Sequence, residues 1–398
     1  MEYKYTIIFV LLILSISLAG CFINPPVPNI PEWTVMVYLA ADNNLESAGI
    51  NDINEMEMVG STTDVNIVVQ ADRIPGYDIS NSNWTNTRRY YIIQDFDPFQ
   101  INSQFNDLGE LNMGDPQTLV DFASWAITTY PAKKYLLVIW NHGGGFRSPS
   151  PGLTKDIAWD YTSGDKITMP ELEYALLAIS AQIEKKIDIV GMDACLMAMT
   201  EVAYQIKDYA DILVASEENE PGDGWPYDTI LSQLVVNPTT SPEQLATDIV
   251  DKYIYSYPSY DVTQSAIDLN YMSTLADQLS DLAQAIINDS LTPKINYILA
   301  AYYSQHYSDY YHDFIDLYDF CNKISNYSNS LEVKTISLIV QQTLLNFTVI
   351  NSGYNGWSIS DSKGLSIYFP YTAYDSYYDY TNFAQYTFWD EMLLSLGL

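Results

Sequence analysis

Short, continuous apolar runs alternate along this chain with stretches in which apolar positions recur every three or four residues, beginning at Trp33. A run that is apolar throughout suits a strand buried on both faces, and the three-to-four repeat suits a helix buried on one, so the alternation predicts a parallel sheet covered by helices. Core strands are expected at 33–40, 64–70, 135–140, 187–192, 211–216 and 264–269, with an antiparallel addition at 87–95 and a last strand at 364–369. Helices are expected up to about residue 59, at 116–129 behind Asp115 as N-cap, at 170–185 opened by Pro170, and at 196–207, 242–255, 273–288, 313–324, 331–345 and 382–396. Residues 143–169 are polar and punctuated by Gly and Pro, which predicts a long surface loop with a short hairpin near 158–161. The expected fold class is α/β, a mostly parallel central sheet with a C-terminal α/β extension.

The N-terminus follows different rules. Lys4 gives a thin positive start, residues 5–16 are apolar but too short to span a bilayer comfortably, and Leu18-Ala19-Gly20-Cys21 follows. That ending resembles a lipobox, after which cleavage leaves Cys21 as a lipid-bearing N-terminus; a plain secretory signal is the alternative. The Pro-rich residues 22–31 read as an extended tether.

Charge narrows the partners. Against 17 Lys+Arg stand 50 Asp+Glu, a net −33 that opposes nucleic acid and anionic surfaces and favours cationic ligands, or only keeps an exported protein soluble. With Cys21 assigned to the anchor, Cys195 and Cys321 remain, too few for a disulfide framework. Cys321 lies among apolar positions at helical spacing, where a buried, inert thiol is expected.

The chemistry gathers at two strand ends. Asn141-His142-Gly143-Gly144-Gly145 closes one apolar run and Asp193-Ala194-Cys195 closes another. In a parallel sheet the crevice opens at the carboxyl ends of the strands, so His142 and Cys195 suit a base and a nucleophile if their strands are neighbours, an order the sequence leaves open. A helix starting after Cys195 and a nearby imidazole would both favour the thiolate. The glycines admit a substrate carbonyl, and the amides of Gly143 and Cys195 could form an oxyanion hole.

These residues carry a resemblance. Asn-His-Gly-Gly-Gly, Asp-Ala-Cys-Leu-Met and the segment Ser216-Glu217-Glu218-Asn219-Glu220-Pro221-Gly222-Asp223-Gly224-Trp225 are similar to the clostripain family of cysteine peptidases, relatives of caspases and gingipains. Residues 38–46 and 364–370 extend the likeness over nearly all of 32–398. The roughly fifty residues from His to Cys agree with a caspase-type arrangement. The resemblance implies a caspase-like three-layer α/β/α sandwich, a His142/Cys195 dyad and cleavage after Arg or Lys. On it, 32–270 is the catalytic domain and 271–398 an extension packed on the same fold.

Specificity residues follow from charge. Asp193 is a candidate partner for a substrate Arg or Lys, with a helix N-cap as the plainer role; Asp223 is a second candidate, otherwise an ordinary turn residue, and Trp225 a candidate wall. Relatives cut themselves after a basic residue in the loop following the His, and of Arg147, Lys155 and Lys166 the choice falls on Lys155. No cofactor is required; calcium is an option, with Asp42-Asn43-Asn44 or the acidic run 217–223 as oxygen donors, although no EF-hand spacing is present. Asn83, Asn288, Asn326 and Asn346 open Asn-x-Ser/Thr triplets, and His306 and His312 suit packing or surface roles.

Two other readings compete. The esterase use of His-Gly-Gly-Gly lacks its Gly-x-Ser-x-Gly elbow here. A catalytically silent surface lipoprotein that binds peptides or proteins on a caspase-like scaffold is the non-enzymatic alternative.

Overall fold

The computed structural model describes residues 30–146, 157–308, 312–371 and 373–398. Cys21, the tether before residue 30, Arg147 and Lys155 lie outside the described residues. A nine-stranded sheet forms the middle of the molecule. Its central strands are β1 (Trp33–Ala41), β2 (Val65–Arg73), β5 (Lys134–Trp140), β8 (Ile187–Asp193) and β9 (Ala210–Ala215), all parallel and in the order β9-β8-β5-β1-β2. Antiparallel strands extend both edges: β3 (Thr87–Tyr91) and β4 (Phe105–Gly109) beyond β2, and β10 (Val262–Asp268) and β13 (Val349–Asn355) beyond β9.

Alternate residues of each strand feed two separate cores, as the two-residue pleat requires. From β1, Met36, Tyr38 and Ala40 enter one core, and Val35, Val37 and Leu39 enter the other. The first core is roofed by α2 (Pro116–Thr129), α3 (Met169–Ile183), α4 (Thr200–Ile206), α7 (Met272–Asn288), α8 (Lys294–Tyr302), α9 (Leu317–Tyr327), α10 (Leu331–Thr343) and α12 (Trp389–Leu396), and the second by α1 (Glu46–Val59), α5 (Tyr227–Val236) and α6 (Pro242–Ser256). Helix starts are set locally. Asp115 accepts from Gln117 N at 2.8 Å with Pro116 in the first turn, Ser241 accepts from Gln244 N, and Thr168 and Glu171 close a capping box.

Several expectations need correction. The strand expected at 264–269 is β10, and it runs antiparallel to β9. The strand expected at 364–369 is β14 (Ser366–Tyr368), which joins β11 (His306–Tyr307) and β12 (Phe314–Asp316) in a separate small sheet. The last helix is two, α11 (Asn382–Tyr386) and α12, separated around Thr387 and Phe388. Most consequential, no helix follows Cys195 directly: Leu196 adopts φ +62°, the chain turns, and α4 begins only at Thr200. The expected hairpin is β6 (Ile157–Asp160) with β7 (Asp165–Ile167).

The chain after residue 270 completes the first core and supplies an edge strand to the main sheet. Trp389 is fully buried, stacks edge to face with Phe320 and donates from Nε1 to Tyr368 O at 2.8 Å. Trp389→Ala should therefore cost about 3–5 kcal/mol of global stability. Urea unfolding read by near- and far-UV circular dichroism should show one coincident transition at lower urea; an unchanged midpoint would mean this helix is not part of the core that supports the sheet.

Candidate active site

Strand register brings the two motifs together. β5 and β8 are hydrogen-bonded neighbours in parallel, with Trp140 opposite Asp193, and Asn141 N donates onward to Asp193 O at 3.2 Å. His142 and Cys195 each lie two residues beyond that last matched pair. Both line one cavity of about 140 Å³ at the carboxyl ends of the strands, together with Leu45, Asp193, Glu220 and Pro221. The turns that carry them touch: a Cβ built on Gly143 would stand 2.3 Å from Cys195 O, so only glycine lets the strand ends meet this closely.

Asparagines fix the histidine. Asn141 donates from Nδ2 to Ala40 O and to Trp159 O, and its Oδ1 accepts from His142 N. Asn43 donates to the same two carbonyls at 2.9 and 3.1 Å, tying β1, β5 and β6 at one point. Asn44 Oδ1 accepts from Tyr161 OH and lies 2.9 Å from His142 Nε2. With Nε2–H donating there, Nδ1 is left as the ring's lone-pair nitrogen, the form a base needs. Burial pulls the imidazole below its ordinary pKa, which favours that neutral form.

The thiol is held differently from expectation. Cys195 Sγ accepts from Glu220 N at 3.2 Å. Leu196 N donates to Glu218 O and Ala198 N to Ser216 O, so the turn is laced to the segment after β9 instead of opening a helix. Ser366 N of β14 donates to Ala198 O, clamping the same turn from the other side. Desolvation, then the charges of Glu220 and Glu218, push the Cys195 thiol up to about 12. The expected thiolate-favouring dipole is absent because α4 starts four residues later than expected; at rest the group is a thiol.

Asp193 is 3% exposed and starts no helix. It accepts from Tyr227 OH at 2.9 Å and Trp225 N at 3.2 Å, and its carboxyl group faces that of Glu220. Burial raises both carboxyls, Asp193 to about 6 and Glu220 further, with the neighbouring Asp193 charge adding to the rise of Glu220. Asp223 faces elsewhere: it lines a separate cavity of about 370 Å³ with Asn51, Asp52, Asn54 and Glu55. Gly224 turns the chain at φ +59°, and the next residue, Trp225, is buried against Gly191, whose added Cβ would meet its ring at 2.7 Å. Trp225 is thus core beneath the site and does not line the cavity of His142 and Cys195.

The other candidates separate cleanly. Lys166 lies in β7 with its ammonium 5.2 Å from the centre of the Trp159 ring. Cys321 is fully buried in α9, its thiol raised by desolvation. His306 and His312 pack edge to face. In both expected calcium segments several side chains are engaged within the protein. Asn43 accepts from Leu45 N and Asn44 is committed to His142, while the Glu217 carboxylate accepts from Tyr307 OH and Gly364 N. Asn44 and Glu220 were not expected in these roles; an Asn directly after a strand end and an acid inside a run of acids carry little signal of their own.

Comparison with known proteins fits this geometry. A sequence profile described as the clostripain family matches residues 37–395. The chain belongs to the clostripain family. Clostripain of Hathewaya histolytica is 29% identical over 414 residues, covering 89% of this chain and 78% of that protein. Among solved structures, a secreted C11 cysteine protease from Bacteroides thetaiotaomicron in complex with an irreversible peptide inhibitor matches at TM-score 0.63 and 21% identity, over 91% of this chain and 99% of that one. An inactive zymogen C11 protease from Parabacteroides distasonis matches at TM-score 0.66 and 19% identity, again over 91% and 99%. The fold is the caspase-like α/β/α sandwich of these proteases, and the protein is a cysteine endopeptidase acting on polypeptides, chemistry that needs no cofactor.

If Asn44 orients the imidazole, Asn44→Ala should lower kcat by about 10²-fold with little change in KM, because misplacing a reacting group costs rate and not ground-state binding. Steady-state kinetics on one peptide substrate decide it; an unchanged kcat would remove Asn44 from the machinery.

Proposed function

We propose that this clostripain-family member is an exported endopeptidase, anchored to the outer face of the cytoplasmic membrane through lipidated Cys21 or secreted, that cleaves after Arg or Lys with Cys195 as nucleophile and His142 as base. The observation that supports it best is the cavity shared by His142, Cys195 and the buried pair Asp193 and Glu220. Two carboxyls facing each other away from solvent resist ionising together. An entering guanidinium or ammonium supplies the missing positive charge, whereas an apolar or acidic side chain leaves the pair uncompensated.

The same charge governs the nucleophile. A cation between the cavity and the thiol offsets Glu220, which raises the thiol when no substrate is present. Binding of a basic residue therefore brings the Cys195 pKa down as it delivers the peptide bond. Nδ1 of His142 takes the Sγ proton, the thiolate attacks the carbonyl carbon, and the oxyanion faces the amides of Gly143 and Cys195. The imidazolium returns its proton to the leaving amine, and water then releases the acyl group from sulfur. Self-processing after Lys155 belongs to the same proposal and is supported by the basic residues in the sequence that follows His142.

Fluorogenic peptides ending in Arg, Lys, Asp or Leu test the reading. Turnover should be confined to Arg and Lys, vanish in Cys195→Ala, and fall about 10²-fold in kcat/KM in Asp193→Asn, the scale of unpairing a buried charge; the Cys195→Ala chain should also remain a single species on a denaturing gel. Turnover of Leu or Asp peptides instead, or none at all, would contradict it, the latter favouring a binding protein.

The pH profile follows from the same carboxyl. Since Asp193 binds a cation only when ionised and its pKa is raised to about 6, 1/KM for Arg peptides should be full above that value and decline as pH falls through it. In Asp193→Asn that limb should disappear from KM while an acid limb from His142 persists in kcat. Identical KM profiles in the two proteins would show that Asp193 does not meet the substrate charge.

A further inference from the structure

Another cavity, of about 510 Å³ against about 140 Å³ around His142, opens where the C-terminal part of the chain meets the segment after β9. It lies among the end of α8, β11 and the turn at residues 358–361. One short segment joins the two spaces: Glu218 lines the larger, and Glu220, two residues on, lines the smaller and donates its amide to Cys195 Sγ at 3.2 Å. Two residues span at most about 7 Å, so a peptide held at Cys195 reaches the larger space with a side chain about two or three residues away.

The lining selects a chemistry. Tyr302, Tyr303 and Tyr371 are each about half exposed, with Tyr302 stacked on Tyr371 at 5.9 Å and edge-on to Tyr303 at 5.0 Å. His312 meets Tyr371 edge to face. Rings already set in place attract a cation laid over their faces. Acceptors stand among them. Asp361 and Glu218 bring carboxylates, the latter fixed at the wall by Ser308 N, which donates to its two oxygens at 3.1 and 3.2 Å. His306 Nδ1 donates to Ser304 O at 2.7 Å, and burial holds this imidazole below its ordinary pKa, so the ring is neutral and Nε2 carries a lone pair. Among the described residues the lining holds neither Lys nor Arg.

We propose that this cavity is a second side-chain subsite, which takes an Arg, and less tightly a Lys, within about three residues of the bond that Cys195 cleaves. A guanidinium fits it better than an ammonium because it stacks on the rings while donating in its own plane to the carboxylates and to Nε2 of His306. Glu218 links the two spaces electrically. After desolvation and Glu220, its charge helps to raise the Cys195 thiol, so a cation held beside it favours the thiolate. The net −33 charge draws polybasic segments toward both spaces. This inference rests on the peptidase reading and extends it from one basic residue to two.

Binding to the full-length Cys195→Ala chain tests the subsite without turnover. Labelled peptides carry Arg at the cleavage position and Arg, Lys, Ala, Phe or Glu at one neighbouring position, moved stepwise along the peptide, and fluorescence anisotropy gives each Kd. At one position Arg should bind about tenfold more tightly than Ala, the scale of a cation held on aromatic faces, with Lys between them and Glu weakest. Added to the Cys195→Ala chain, Asp361→Asn or Tyr371→Ala, both at exposed positions, should shrink that ratio to about threefold or less. Glu332→Gln, exposed on α10, should keep it. Equal Kd for Arg and Ala at every position, an equal gain from Phe, or a ratio unchanged in both cavity variants would overturn the subsite. If replacing the cleavage-position Arg by Ala costs no affinity, the basic-residue reading of the His142 cavity fails, while the ratio at the second position still decides the subsite; no saturable binding of any peptide would overturn both.

Discussion

The in-register parallel pairing of β5 with β8 is the constraint on which the rest of the site depends. Opposing Trp140 with Asp193 places the next residues, Asn141-His142-Gly143 and Ala194-Cys195, at the same height on neighbouring strands. Because side chains alternate faces, a slip of one residue would turn Asp193 away from the Tyr227 hydroxyl and break the match between the two turns. The apolar faces of both strands, Leu137 and Ile139 with Val190 and Met192 on one side, make such a slip costly. Gly143 completes the arrangement by letting the turns touch.

Given that scaffold, the site is governed by uncompensated negative charge. Asp193 and Glu220 face each other beside a thiol that burial and the same acids keep protonated. On the proposed reading such a site is quiet without a cation and becomes reactive with one, which would make recognition of a basic residue and activation of sulfur one electrostatic event. Restraint of this kind suits a peptidase that is itself a polypeptide.

The sequence made the central strands, many of the helices, and the His and Cys at strand ends legible, because each rests on local pattern: unbroken apolar runs, Asp115-Pro116 before a helix, rare residue types after strands. It did not reveal β4 or β13, whose residues are mostly polar and find their partners only at sheet edges. Nor did it reveal the delayed start of α4, since residues 196–199 are apolar and look helical until Leu196 takes a left-handed conformation held by the segment 216–220. Asp223 and Trp225 sit close to Asp193 in space yet face other surroundings because Gly224 reverses the chain between them. Asn44 reaches His142 because β1 and β5 are neighbours, an order that local pattern does not encode.

The most direct test of a Cys195/His142 site built for a basic residue is covalent labelling. The chain is treated with a peptidyl acyloxymethyl ketone ending in Lys, and the modified residue is mapped by mass spectrometry in wild type and His142→Ala. The account predicts a single adduct on Cys195, slowed strongly by His142→Ala and by exchanging the inhibitor's Lys for Asp. Labelling of Cys321, or labelling of Cys195 at a rate indifferent to both changes, would contradict it.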